Sequence, residues 1–505
     1  MQRDLFGRLL GLSLEQKINI EKVLTYPLTP VPLSLCYING NICKTDKSIL
    51  MKCLEQKIQS EKPDRVDVVI IDGFFLMHLM KELPLSFGNI GKKNLQSLVK
   101  YNAETIAIVF DRYFKPSIKD YEHHLREQTN LRAFKITGPE QVRPSDFSKE
   151  LKNKNFKEAL VSFLIKFWSS DEATPIIGSK TVYLNYDMCY KYKVNNGKVT
   201  RSISEVFTCD KHEEADTKIV YHACKVDAAS NILLRCSDTD ILIIMLGNME
   251  HLEASVKVWM EVGVGNAQRY VDVTKIYKSL GNTLCSALPG FHALTGCDFN
   301  PAFFRKGKKR PLSILKGSEM YQKSFIDLAN LAQCETQQVI QNLEEFICHL
   351  YSIKKAKNVN EARFADFSTE KFFKPIVKSF DGSAVPPCQS ELHQQILRAS
   401  YISNIWRNAH FKYPTILSPV DNGWQEVDGQ YEFKGDQLPT FVNEVVIQPE
   451  EGEDDNNSES DVSELEKSID DIDDGYDKDD ADNEYCEYNN SDDEEDIDED
   501  EEEFI

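Results

Sequence analysis

Cysteine pairing is missing from this chain. Its 13 cysteines include no Cys-x-x-Cys pair, no Cys/His spacing typical of zinc, and an odd total, which argues against a disulfide framework and for a reducing compartment. No apolar run reaches the roughly 20 residues needed to cross a bilayer. The opening residues MQRDLFGRLLG lack the layout of a secretory signal. A cytoplasmic or nuclear chain with no membrane contact is expected. Gly263-Val264-Gly265 lacks the third glycine of a dinucleotide loop and falls between two strand-like runs, so it is dismissed as a cofactor motif. No internal repeat is found. Positive charge is nearly absent from the C-terminus: between Glu450 and Ile505 there are 30 acidic residues against Lys467 and Lys478, a net of −28, which leaves +6 for the remainder of a chain whose total is −22. Residues 449–505 cannot bury enough apolar surface to fold alone and are expected to form a disordered acidic tail. Such a tail can solubilise, mimic nucleic acid over a basic groove, or dock a basic protein partner. Ser460, Ser463 and Ser491 lie among its acids as candidate phosphorylation sites.

What remains reads as an α/β body. Residues 1–60 form an N-terminal extension with a Pro-rich stretch, YPLTPVPLSL. The first strand is expected at Val66–Ile71, closed by Asp72-Gly73, and a second at Thr105–Phe110, ending in Asp111. A helical pattern between them suggests βαβ units and a parallel sheet buried on both faces. Residues of about 113–175, rich in Lys, Arg, Glu and His, read as long helices or an arch. TVYLNYDM and Asn231–Arg235 are further strands, and VKVWMEV and QRYVDV flank Gly263–Asn266 as a hairpin. Residues 312–448 are mainly helical, with a small Trp- and Gly-containing unit, GWQEVDGQYEF, before the tail.

Acidic residues gather at the boundaries of these apolar runs: Asp72, Asp111, Glu213-Glu214-Ala215-Asp216, Ser237-Asp238-Thr239-Asp240 and Gly296-Cys297-Asp298. Carboxylates hold hard divalent cations through oxygen, and the carboxyl ends of strands are where open α/β sheets bind ligands. Asp238 and Asp240 are expected in an extended turn with both side chains on one side. Glu214 and Asp216 would face nearly opposite ways inside a regular helix. Either Glu214 precedes the first helical turn, or Glu213 and Asp216 form the pair. Two carboxylates about 4 Å apart repel by roughly 4 kcal/mol at an effective dielectric of 20, so convergence of the whole set implies bound cations or captured protons. Two ions about 4 Å apart suit phosphodiester cleavage. The plainer account is that each acid is an N-cap or turn residue.

As an ordered set, IDG, VFD, EEAD, SDTD and GCD resemble the PIN-like domain of the flap endonuclease and xeroderma-pigmentosum-G nuclease superfamily. More narrowly, PLTPVPLSL, EADTK, SDTDILII and LPGFHALTGCD resemble a multi-copy group of invertebrate proteins within it. The resemblance spans about residues 25–310. It implies a PIN-like, Rossmann-like, mostly parallel sheet flanked by helices over residues 61–311. It also implies seven ligands, Asp72, Asp111, Glu214, Asp216, Asp238, Asp240 and Asp298, for two Mg²⁺ or Mn²⁺ ions, and a structure-selective nuclease acting on DNA or RNA. Lys119 and Arg126 are approximate counterparts, each shifted by one position, of two catalytic basic residues in the family's helical gateway. Where the family has a glycine-bearing helix–turn–helix that grips duplex DNA, this chain has FNPAFFRKGKKRP, with Gly307 alone. The family's Met-Gly start is absent from this sequence as well.

Lys306, Lys308, Lys309 and Arg310, following Phe303 and Phe304, form the best phosphate-contact patch for nucleic acid. His212, His222 and His292 are expected to support the acids or the core rather than ligate, and Cys297 to be a buried small residue. A second reading is a catalytically inactive PIN-like scaffold that binds protein or nucleic acid.

Overall fold

The computed structural model describes residues 19–27, 29, 31–119, 133–226, 230–333, 336–368, 383–415 and 417–435. Arg126 and the acidic tail lie outside them. The first long helix, α1 (Lys47–Glu55), buries Leu50, Met51 and Leu54 and is capped by Asp46. The sheet then opens with β1 (Val68–Asp72), which runs directly into the short helix α2 (Gly73–His78). Helix α3 (Phe87–Val99), strand β2 (Thr105–Val109) and helix α4 (Lys154–Phe167) follow. Three strands come next, β3 (Thr181–Asn185), β4 (Cys189–Asn195) and β5 (Lys198–Ile203).

Helix α5 (Ala215–Cys224) leads to β6 (Asn231–Arg235), α6 (Thr239–Asn248), β7 (Lys257–Val262) and β8 (Arg269–Asp272). The C-terminal part is helical: α7 (Val273–Leu280), α8 (Asn282–Leu294), α9 (Lys309–Lys316), α10 (Glu319–Asp327), α11 (Thr336–Leu350), α12 (Val359–Ser368) and α13 (Gln389–Arg407). The Trp- and Gly-containing unit is an antiparallel pair, β9 (Trp424–Val427) with β10 (Gln430–Phe433).

The main sheet has the order β5-β4-β3-β2-β1-β6-β7-β8. Its five central strands, β3-β2-β1-β6-β7, are parallel, and the flanking pairs β3–β4, β4–β5 and β7–β8 are antiparallel. The β7–β8 hairpin and the third strand stand where the sequence puts them. This is an α/β fold with a mostly parallel sheet flanked by helices and a mainly helical C-terminal region, the Rossmann-like arrangement expected of a PIN-like domain. Successive residues of β1 serve opposite faces. Val69 and Ile71 join the core under α2, α3 and α4, while Ile70 joins the core that continues through α5, α6, α8, α10, α11 and α13. A strand buried on both faces must be apolar throughout, which is why VVII precedes Asp72 without a polar break.

One expectation is corrected. Asp238 and Asp240 do not share an extended turn: Thr239 begins α6, and all ten residues of that apolar helix are buried. Asp238 is its extended N-cap and Asp240 lies in its first turn. An apolar run with no polar face carries no periodicity, so strand and helix look alike in it.

Candidate metal centre

Chain order places β2 and β3 on one side of β1 and β6 and β7 on the other. This makes the carboxyl ends of β1 and β6 the switch point of the sheet, where open α/β sheets form a ligand crevice. Asp72 is the last residue of β1 and the N-cap of α2. Its Oδ1 accepts the amides of Phe74 (3.0 Å) and Phe75 (3.1 Å). The glycine after it is needed for space, since a Cβ on Gly73 would lie 2.3 Å from the Phe110 ring. Asp111 follows β2 and accepts the Ala215 amide through Oδ1 (2.8 Å), while the Arg112 amide donates to the Glu213 carbonyl (2.7 Å). These two bonds hold the start of α5 against the end of β2.

Glu214 is the extended N-cap of α5 and Asp216 the second helical residue. Glu214 thus precedes the first helical turn, which decides between the two alternatives left by the sequence. Glu213 accepts the Phe114 amide instead (3.2 Å). Lys218, buried, fastens α5 to the sheet by donating to the carbonyls of Phe110 (2.8 Å) and Tyr186 (2.7 Å). Asp238 caps α6 by accepting the Asp240 amide (2.9 Å). Asp298 follows Gly296, whose φ of +113° and 2.6 Å approach of an added Cβ to Ala302 both require glycine.

Oxygens of Asp216, Asp238 and Asp240 lie within 4.8 Å of one another. Two lysines flank this group. Lys119 Nζ is 3.2 Å from Asp111 Oδ1 and 3.6 Å from Glu214 Oε1. Lys47 Nζ is 2.9 Å from Asp240 Oδ2 and 2.8 Å from Asp298 Oδ1. Among the described residues no lysine or arginine forms an ion pair with Asp72, Asp216 or Asp238. Burial and neighbouring charge then act together on these acids. Burial, then Asp111, pushes the Asp72 carboxyl up to about 7. Burial, then Asp240, pushes Asp238 up to about 7. Glu214 rises to about 8, through burial that outweighs the opposing pull of Lys119. Asp216 rises well above the usual carboxylate range through burial, then Asp238 and Glu214. Asp111 goes the other way: burial raises it, but Lys119 and the Ala215 amide outweigh burial and lower it. An oxygen-only donor set whose members resist ionising together fits a hard divalent cation such as Mg²⁺ or Mn²⁺.

Among the histidines, His292 touches the cluster. It is wholly buried, its Nε2 is 2.8 Å from Asp240 Oδ1, and its ring stacks on Trp406. His222 stacks on Phe207 beside Asn185, and His212 meets the Phe411 carbonyl (2.8 Å), so both serve the core. Cys297 is buried and burial pushes its thiol up to about 12, leaving it inert at neutral pH.

The basic run is not brought together on one surface. Lys309 and Arg310 are exposed at the start of α9, and Arg310 donates to Ser352 Oγ (2.7 Å). Lys306 lies over the Tyr351 ring at 4.0 Å. Lys308 is wholly buried, and its ammonium donates to Gly296 O (2.6 Å), Thr295 Oγ1 (2.8 Å) and His292 O (3.2 Å). With three acceptors inside the protein, its hydrogens are consumed there. It braces the turn before Asp298 instead of presenting a charge to phosphate. Lys47, by contrast, reaches the cluster without any local signal, and His292 takes the supporting place expected of it. A cavity of about 200 Å³ adjoins the cluster, with Lys119 and Glu214 on one wall and Phe114, Tyr401, Trp406 and Tyr431 among the others.

No protein-family model and no curated protein matches the chain. Among solved structures it is similar to the catalytic core of Rad2 in complex with DNA substrate, at 12% identity, with a TM-score of 0.29 over 69% of this chain and 90% of that one. That likeness is too distant to carry an argument about the site.

Proposed function

We propose that this protein is a metal-dependent phosphodiesterase acting on nucleic acid by structure rather than sequence, with Asp72, Asp111, Glu214, Asp216, Asp238, Asp240 and Asp298 as its ion-holding residues. The observation that carries the proposal is convergence. Carboxylates from five separate segments gather at the switch point of the sheet, and three of them, Asp72, Asp216 and Asp238, form no direct ion pair with a lysine or arginine among the described residues. Keeping several buried carboxylates in one place is unfavourable in a protein that has no use for cations there. Mg²⁺ or Mn²⁺ bound at the cluster would supply Lewis-acid polarisation of the phosphodiester and a water of lowered pKa.

The chain's own residues bind and orient. Lys119, paired with Asp111 and Glu214 on the wall of the aromatic-lined cavity, offers positive charge to a phosphate at the edge of the cluster. The aromatic walls offer stacking to an unpaired base. His292 holds one oxygen of Asp240 and so fixes the direction of the other. Arg126 retains its proposed role as a second phosphate contact. The scaffold reading has one observation in its favour: Lys308 is withdrawn from the surface patch, which weakens the grip on a duplex.

The deciding experiment is cleavage of labelled single-stranded, duplex and 5′-flap DNA and of RNA, in Mn²⁺ or EDTA, by wild type and by Asp238→Asn/Asp240→Asn. The expected result is metal-dependent cutting that the double variant loses. Equal cutting by both would remove the carboxylate cluster from the mechanism. No cutting of any substrate, with no rise in melting temperature on adding Mn²⁺, would favour the scaffold.

A further inference from the structure

Lys47 makes more of its position than a surface ion pair does. It is the first residue of α1, a helix fixed to the core by Leu50, Met51 and Leu54. Its backbone carbonyl accepts Thr239 Oγ1 (3.2 Å), so the lysine is tied through its main chain to the same turn that carries Asp240. Its ammonium then reaches Asp240 Oδ2 at 2.9 Å and Asp298 Oδ1 at 2.8 Å, with the side chain only 21% exposed.

Asp240 consequently borders two cation positions. One lies among Asp216, Asp238 and Asp240, whose oxygens come within 4.8 Å of each other. The other lies between Asp240 and Asp298, and an ammonium stands in it. Paired ions in phosphodiesterase centres are held by shared carboxylates, and here two adjacent positions share Asp240. A tethered ammonium neutralises the second pair of carboxylates at high effective concentration, whereas a free ion must be drawn from solution.

We infer that Lys47 is a built-in replacement for the second divalent ion, so that the chain binds one Mg²⁺ or Mn²⁺ at Asp216, Asp238 and Asp240 rather than two. This rests on the metal-dependent reading proposed above and narrows it. It also gives α1, part of the segment before the first strand, a direct part in the site.

The test is Mn²⁺ stoichiometry by calorimetry and by electron paramagnetic resonance of the free ion, on the full chain. Ions retained by a chain with Asp216, Asp238 and Asp240 all changed to Asn are subtracted, which removes those held loosely by the acidic tail. Wild type and Lys47→Arg are expected to bind one ion each, and Lys47→Met two. Two ions in wild type, or one in a folded Lys47→Met, would overturn the inference and leave the metal reading standing. No saturable ion in any form would overturn both. Amine acetylation of wild type covers the case in which Lys47→Met does not fold. Lys47 is expected to stay as protected at saturating Mn²⁺ as in EDTA, and a gain in its reactivity would show that the ion displaces it.

Discussion

His292 holds Asp240 from the protein interior: Nε2 lies 2.8 Å from Oδ1, and the ring is stacked 5.8 Å from Trp406. With hydrogen on Nε2 it donates to the carboxylate, while burial first, and then Lys308, keep the ring's pKa well below its ordinary value. A neutral imidazole in this place fixes the carboxylate's direction without competing for its charge.

Replacing His292 with Phe keeps the stack and removes the hydrogen bond. Mn²⁺ affinity is expected to fall about 10- to 100-fold. Melting in EDTA should show a loss of about 1–3 kcal/mol from the oxygen left unsatisfied. Calorimetric titration measures the first and denaturant unfolding the second. Unchanged affinity would remove His292 from the site.

Asp216→Asn is expected to trade function for stability. The Asp216 carboxyl has its pKa raised by burial, then by Asp238 and Glu214. A group raised in the folded state costs stability as pH climbs through that raised value. The metal-free variant at pH 8 should therefore exceed wild type by about 1 kcal/mol, a figure kept small because the group is partly exposed. The advantage should vanish near pH 4, and Mn²⁺ should no longer raise the melting temperature. A variant less stable than wild type at pH 8 would contradict the repulsion argument.

Gly73→Ala places a methyl 2.3 Å from the Phe110 ring, at the joint between β1 and α2. A loss of about 1–3 kcal/mol is expected, with reduced metal affinity because Asp72 moves with the joint. Urea unfolding with and without Mn²⁺ reads both.

Acid should destabilise the fold through its buried histidines. Burial, then Lys218, holds His222 down at about 3. A histidine lowered in the folded state binds its proton on unfolding, so its contribution is complete above pH 6.5 and declines as pH falls toward the folded value. At pH 5 it costs about 2 kcal/mol. His222→Phe preserves the stacking on Phe207 and should flatten stability between pH 6.5 and 5. The comparison with wild type isolates this residue from Asp72, Asp238 and Glu214, whose raised values act in the opposite direction.

The sheet and the acidic residues at its strand ends were legible because both are local: an apolar run of five or six residues that ends in a carboxylate announces strand, turn and candidate ligand together. Lys47 was not legible, and His292 was legible as a residue supporting the acids or the core but not as the partner of Asp240. Lys47 stands 193 residues before Asp240 and His292 52 residues after it, and no periodicity encodes an approach over such separations. Lys308 was misread for another reason. A run of basic residues looks uniformly solvated, yet one amine in it finds three carbonyl and hydroxyl acceptors inside a turn, and that satisfies its burial.

Helix α6 presents no residue to solvent, and its first turn carries Asp240. Core packing and a candidate ligand are therefore written in the same ten residues. A change at Ile243 or Met245 that the fold absorbs by sliding the helix a fraction of an ångström also slides the carboxylate. Under the metal-dependent reading proposed above, competence is a gauge of interior fit, and substitutions far from the carboxylates would register there before they registered in a melting curve.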